Sequence, residues 1–218
     1  MRARFSAVLF DLDGTLLDTL DDIADAVNAV LRRLGQAPHP AEAYKRFVGD
    51  GMVELVERAF PPECRERETP ARLIAAVRSE YGLHLDKRTR PYPGVPEMLD
   101  GLRSRGLALA VLSNKQQEFT ERSVRTLLPR WEFRAVRGAS PGRPLKPDPA
   151  PALEVARSLG ALAAQVLYLG DTSTDMRTAV AAGMFPVGAL WGFRDADELL
   201  GAGAKELVRE PPEVLGLI

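Results

Sequence analysis

The stretch Ala7-Val8-Leu9-Phe10-Asp11-Leu12-Asp13-Gly14-Thr15-Leu16 constrains this chain more than any other. Its apolar start reads as a buried strand. An extended chain points alternate side chains the same way, so Asp11 and Asp13 should project together from the strand's C-terminal end. Open α/β sheets receive their ligands at that edge. Two like charges held close repel unless a cation or a shared proton compensates them, which implies a metal ion or acid–base chemistry. Asp13-Gly14 is also a turn signal, so the string alone is equally compatible with simple chain reversal.

The rest of the chain supplies a sheet for that strand. Short apolar runs at residues 7–10, 107–112, 133–136, 166–169 and 185–190 read as buried strands. They alternate with segments of helical period at 95–105, 117–128, 150–159 and 174–182, and Gly106, Gly160 and Gly183 stand where helix C-terminal caps belong. Strand alternating with helix specifies an α/β fold with a doubly wound parallel sheet. One region breaks the alternation. Residues 18–88 read as helical only, at 20–34, 41–47, 52–60 and 71–81, with Pro38, Pro40, Pro61 and Pro62 as breakers. Thr19 followed by Asp21 and Asp22 reads as a helix N-cap with acids in the first turn. The expected organisation is therefore a catalytic core of residues 1–17 and 89–218, with an all-helical cap of residues 18–88 inserted after the first strand. Both crossings return to the edge that carries Asp11, so the insertion can act as a lid.

Three further groups fall at the same edge. Ser113-Asn114 follows the second strand, where a hydroxyl and the first amides of the next helix could meet an anion, or where the pair could simply cap that helix. Lys146 lies in the Pro-rich loop Ser140-Pro141-Gly142-Arg143-Pro144-Leu145-Lys146-Pro147, where flanking prolines direct it and its compact charge suits a phosphate oxygen or a carboxylate. Asp171 and Asp175 stand four apart in Leu169-Gly170-Asp171-Thr172-Ser173-Thr174-Asp175, one at a strand end and one on the first helical turn. Hard oxygen ligands from two loops fit Mg²⁺.

Composition narrows the partners. Lys+Arg at 29 against Asp+Glu at 30 gives a net charge of -1, so no global field draws the chain to nucleic acid or to an anionic membrane. The single cysteine, Cys64, forms no intrachain disulfide. Arg2 and Arg4 precede an apolar run that Asp11 interrupts at once, which is not a signal-peptide core, and no apolar stretch approaches bilayer length. The expected location is the cytoplasm. His39 and His84 have no catalytic company and are expected on the surface of the helical insertion.

Taken in order, Asp11-x-Asp13-Gly14-Thr15-Leu16, Ser113-Asn114, Lys146-Pro147-Asp148-Pro149 and Gly170-Asp171-x-x-x-Asp175 resemble the signature of the haloacid dehalogenase superfamily of phosphatases over essentially the whole chain. Phe47-Val48-Gly49-Asp50-Gly51, Arg90-Pro91-Tyr92-Pro93-Gly94-Val95, Ser113-Asn114-Lys115 and Trp191-Gly192-Phe193-Arg194 make it most similar to the phosphoglycolate phosphatase branch. The resemblance implies a Rossmann-like core with a helical cap and a phosphomonoesterase acting on a small phosphorylated metabolite such as 2-phosphoglycolate. It implies that Asp11 attacks phosphorus and forms an aspartyl-phosphate, while Asp13 protonates the leaving oxygen and later activates water. Leu12, Ser113, Asn114 and Lys146 would hold the phosphoryl oxygens. Asp11, the Asp13 carbonyl, Asp171 and Asp175 would serve a Mg²⁺ ion.

An aspartate at position 13 favours phosphoryl transfer over carbon–halogen cleavage, which needs no proton donor for an alkoxide. A phosphosugar mutase, a pyrophosphatase, a phosphonate hydrolase using Lys45 and a non-catalytic Mg²⁺-dependent binding module remain open. For a carboxylate on the substrate, Arg46 or Lys45 of the insertion is the expected cation. The chain is expected to be a monomer or a homodimer.

Overall fold

The computed structural model describes residues 4–218, so Arg2 and the first residues of the expected core lie outside the described part. Its centre is a six-stranded sheet built from β1 (Ala7–Phe10), β4 (Ala108–Gln116), β5 (Ala135–Ala139), β6 (Val166–Gly170), β7 (Phe185–Ala189) and β8 (Glu206–Val208). The strand order is β5-β4-β1-β6-β7-β8, and every pairing is parallel. The chain runs outward to one edge, returns to the centre at β6 and then runs to the other edge. The reversal falls between β1 and β6, which makes their C-terminal ends the crevice of the sheet.

Parallel strands are covered on both faces, and alternate residues of β1 divide accordingly. Val8 and Phe10 pack into one cluster with Met98 and Leu99 of α6 (Val95–Ser104) and Val124 of α7 (Gln117–Leu127). Ala7 and Leu9 pack into another with Val155 of α8 (Ala150–Ser158) and Ala179 of α9 (Ser173–Ala181). All four β1 side chains are fully buried. A short α10 (Ala196–Gly201) precedes β8. Gly106, Gly160 and Gly183 take the left-handed backbone conformation expected of helix ends. Among the described residues, no helix is long and apolar enough to cross a membrane.

Between β1 and α6 lie five helices: α1 (Leu20–Arg33), α2 (Tyr44–Phe47), α3 (Met52–Ala59), α4 (Pro62–Arg67) and α5 (Pro70–His84). They share a second hydrophobic cluster that includes Val27, Leu31, Tyr44, Phe60 and Leu73, and Phe119 of α7 and Phe193 join it from the core. The two crossings pair as a small antiparallel ladder, β2 (Leu17–Asp18) against β3 (Arg90–Pro91). Asp22 fixes the return crossing, because its carboxylate accepts from the Arg88 and Thr89 N–H groups at 3.0 Å and from the Thr89 hydroxyl at 2.6 Å.

Several local expectations need correction. Thr19 sits at the start of α1, but its hydroxyl makes no capping bond and is buried without a partner. Asp22 therefore ties two segments together rather than only facing a helix dipole. His39 is not a surface residue of the insertion: its Nε2 lies 2.8 Å from the Ala59 carbonyl oxygen, and its ring packs edge-on against Tyr44 and Phe47. Ser113 and Asn114 do not cap α7, since β4 continues through Gln116 before the helix begins.

Candidate active site

β1 ends at Phe10, and the Asp11 N–H still donates to Leu169 of β6 at 2.9 Å, which fixes the backbone just beyond the strand. The Asp11 Oδ1 atom meets Lys146 Nζ at 2.8 Å and accepts from the Leu12 N–H at 2.7 Å. Lys146 also reaches Asp175 Oδ1 at 2.7 Å, so one ammonium serves two carboxylates. Asn114 holds the lysine loop in place: its Oδ1 accepts from the Lys146 N–H at 2.9 Å, and its Nδ2 donates to the Lys146 carbonyl at 3.0 Å. Asp175 is fixed from its own helix. Its Oδ2 accepts from the N–H and the hydroxyl of Thr172, and the Thr172 hydroxyl in turn accepts from the Asp175 N–H. That reciprocal box is a strong helix start.

Asp171 is the third carboxylate. It accepts from the Thr15 hydroxyl at 2.7 Å and from the Phe193 N–H at 2.9 Å. Its setting requires glycine on two sides: a Cβ at Gly14 would lie 2.3 Å from Asp171 Oδ2, and one at Gly192 would lie 2.3 Å from Asp171 Cβ. Gly14 also has φ of 88°, which a side chain would strain. Trp191 braces the same turn by donating its indole N–H to the Thr15 carbonyl at 2.9 Å.

Asp11, Asp171 and Asp175 each place a carboxylate oxygen within 4.8 Å of the others, all three are buried, and Lys146 is the ammonium among them. Burial and the Asp175 charge hold the Asp11 carboxyl well above its ordinary range despite Lys146. Burial, again with Asp175, pushes Asp171 up to about 7 against the bonds from Thr15 and Phe193. Lys146 stays protonated: burial opposes its charge, but Asp11 and Asp175 outweigh burial. One ammonium does not balance three carboxylates, and an all-oxygen donor set short of positive charge fits a hard divalent cation.

Asp13 lines the same cavity as Asp11 but has a different partner. Its Oδ1 meets Lys115 Nζ at 2.8 Å, with the lysine and aspartate side chains 6% and 11% exposed. Lys115 also donates to the Tyr81 hydroxyl of α5 at 2.5 Å. The cavity has a volume of about 70 Å³. Asp11, Asp13, Ser113, Asn114 and Lys115 line it from the sheet edge, while Val48, Met52, Leu55 and Val77 close it from the helical segment. The loop over it is clasped to the core. Asn114 Nδ2 donates to the Gly49 carbonyl at 3.3 Å, Thr174 donates to Asp50 at 2.5 Å, and Arg194 donates to the carbonyls of Lys45 and, at 2.9 Å, Val48.

Asp11, Asp13, Ser113, Asn114, Lys146, Asp171 and Asp175 thus converge on one crevice. Ser113 Oγ accepts from the Lys115 N–H at 3.2 Å, which leaves its own hydrogen free to donate. The Leu12 N–H is engaged by Asp11. Lys45 and Arg46 are not brought to the cavity: Lys45 pairs with Glu42 at 2.9 Å and Arg46 is exposed. Reading the sequence alone misses the contributions of Thr15, Lys115, Thr172 and Arg194. All four stand inside the motif stretches of the sequence, but nothing local gives their partners.

The sequence profile of the family described as haloacid dehalogenase-like hydrolase matches residues 8–189. This chain belongs to that family. The hydrolase is 34% identical over 216 residues to a phosphoglycolate phosphatase of Neisseria gonorrhoeae, covering 97% of this chain and 89% of that protein. It is 33% identical over 186 residues to a phosphoglycolate phosphatase of Aquifex aeolicus, covering 85% of each. Its fold matches the crystal structure of a predicted phosphoglycolate phosphatase from Haemophilus somnus with a TM-score of 0.88 at 25% identity, covering 100% of this chain and 99% of that one. The hydrolase is a phosphatase similar to these relatives.

Proposed function

We propose that this phosphatase hydrolyses a small, carboxylate-bearing phosphomonoester, 2-phosphoglycolate, with Mg²⁺ and through a phosphorylated Asp11. The observation that carries the reading is the division of labour in one cavity: Asp11 sits among carboxylates and Lys146, while Asp13 sits apart with Lys115. Asp11 attacks phosphorus with Oδ2, the oxygen that has no protein donor among the described residues. Lys146 and the Ser113 hydroxyl hold phosphoryl oxygens, joined by the backbone N–H of Asn114 and by that of Leu12 once it turns from Asp11 Oδ1 to the substrate. Asp13 gives a proton to the leaving oxygen and then takes one from the water that breaks the acyl phosphate.

The carboxylates of Asp11 and Asp171 and the backbone carbonyl of Asp13 would hold Mg²⁺, with Asp175 adding charge and fixing Lys146. When bound, that ion offsets carboxylate–phosphate repulsion and stabilises charge on the transferring group. Residues 18–88 act as the cap and exclude water from the reaction. A small substrate follows from the cavity, whose volume of about 70 Å³ compares with roughly 10–15 Å³ needed for one water. A mutase or a pyrophosphatase would have to seat a second phosphate there against Lys115 alone. Balanced charge supports an enzyme without a nucleic-acid partner.

The direct test is phosphate release from 2-phosphoglycolate with Mg²⁺ or with a chelator, using Asp11→Asn protein as the blank. Release that needs both Mg²⁺ and Asp11 supports the reading. Release that survives chelation, or that favours pyrophosphate or sugar phosphates, overturns it.

A further inference from the structure

Phosphoryl transfer by Asp11 and Asp13 has no evident need of a second buried ammonium, yet Lys115 is there. Its position is specific. It meets Asp13, and Asp13 faces the leaving oxygen under the reading above, so Lys115 stands on the leaving-group side of the phosphate site. An ammonium has three hydrogens, and Asp13 and Tyr81 accept two of them. The third is available to a ligand.

The other basic groups nearby are engaged or remote. Lys146 serves Asp11 and Asp175, Arg58 pairs with Asp50 at 2.5 Å, and Arg194 holds two backbone carbonyls. Among the cavity-lining residues Lys115 is the sole lysine or arginine. An independent sign of a polar ligand lies next to it: Gln116 also lines the cavity, and its Oε1 is buried without a partner. Rotation of that amide presents its NH₂ group instead, a second donor for an anion. The apolar wall opposite strengthens any charge pairing made between them.

We infer that Lys115, with the Gln116 amide beside it, binds a carboxylate on the leaving group and so sets the preference of this phosphatase for acidic phosphate esters. This rests on the proposed placement of Asp13 at the leaving oxygen. It replaces Arg46 and Lys45 as the source of the cation.

The test compares kcat/KM of the Mg²⁺-loaded enzyme for 2-phosphoglycolate, 2-phospholactate and propyl phosphate, an ester of similar size with a neutral leaving group. Wild-type enzyme should favour the acidic esters. In Lys115→Met the ratio of acidic to neutral ester should fall roughly ten- to hundredfold, the scale of a lost charge-assisted hydrogen bond. Lys115→Arg should recover part of it. An equal loss on all three esters would mean that Lys115 serves Asp13 alone and would overturn the inference. So would a wild-type enzyme with no preference for either acid. Preference for 2-phospholactate but not 2-phosphoglycolate, lost in Lys115→Met, would leave the inference standing while removing the substrate named above. A check independent of any variant is inhibition of propyl phosphate turnover. Glycolate should inhibit at concentrations where ethylene glycol does not, and equal inhibition by both would contradict a carboxylate site.

Discussion

At the sheet edge, the three buried carboxylates of Asp11, Asp171 and Asp175 have one ammonium among them, whereas Asp13 in the adjoining cavity has Lys115 nearly to itself. The first region is short of positive charge and walled by hydrogen-bond donors, so it is built to receive a cation and an anionic phosphoryl group together. The second is balanced and faced with apolar side chains, so only a small group matching the free valence of Lys115 gains by entering. The contrast teaches that reaction type and substrate choice are written in separate electrostatic settings, even where the residues are neighbours in the chain.

Asp11→Asn should break the comparison most severely. The charge-poor region loses its nucleophile, and phosphate release should drop by at least about 10³-fold on every substrate while thermal stability holds or rises. Steady-state kinetics and a melting curve check both halves of that statement. Thr15→Val comes next, because it removes only the hydroxyl that orients Asp171. The Mg²⁺ concentration for half-maximal activity should rise roughly 10–100-fold, as is typical when a partner of a metal ligand is lost. An unchanged Mg²⁺ requirement would show that Asp171 needs no such support.

A third expected outcome uses pH on the metal-free protein. Asp171 titrates at about 7 when folded against an ordinary 3.8, because burial and Asp175 disfavour its charge. The folded chain therefore holds a proton that the unfolded chain has already released. The stability this contributes is full below the unfolded value and is lost as pH rises through about 7. Melting temperature in chelator should fall from about pH 5 to pH 8, and Mg²⁺ should restore most of the loss at the alkaline end. A flat profile would mean that the carboxylate cluster is already compensated. The smallest effect is expected from Arg46→Ala, whose side chain is exposed and does not line the cavity. kcat/KM for 2-phosphoglycolate should stay within about twofold of wild type, as usual for a surface substitution. A large rise in KM would return the carboxylate contact to the helical insertion.

The central strands and both acidic clusters were legible in the sequence because each cluster follows directly on an apolar run, which leaves little choice of where it emerges. The alternation of strand and helix, and its interruption by α1, α2, α3 and α5, likewise survive in the periodicity, whereas α4 does not, because Pro61 and Pro62 read as breakers although Pro62 opens that helix. Lys115 was not legible in the same way. It stands in the Ser113-Asn114-Lys115 stretch, but its partner Asp13 lies 102 residues earlier and nothing local links the two. Thr15 stands inside the first motif, but it meets Asp171 from 156 residues away, a pairing only the fold makes. Arg46 and Lys45 stand beside the Gly49-Asp50-Gly51 turn, but neither lines the cavity, since Lys45 pairs with Glu42 and Arg46 is exposed, which only packing decides. β8 went unread because its three residues grade from exposed to buried without a clear alternation. The hydroxyl of Thr19 invited a capping assignment that the buried geometry of α1 does not use.

The most direct measurement traps the covalent state. Enzyme turning over 2-phosphoglycolate with Mg²⁺ is quenched with borohydride, which reduces an aspartyl-phosphate to homoserine, and the peptide containing Asp11 is sequenced by mass spectrometry. Substrate-dependent conversion at Asp11, absent in the Asp11→Asn protein, is the expected result. Turnover with no modified Asp11, or with conversion at Asp13 or Asp171 instead, would contradict the assignment of the two ends of the cavity.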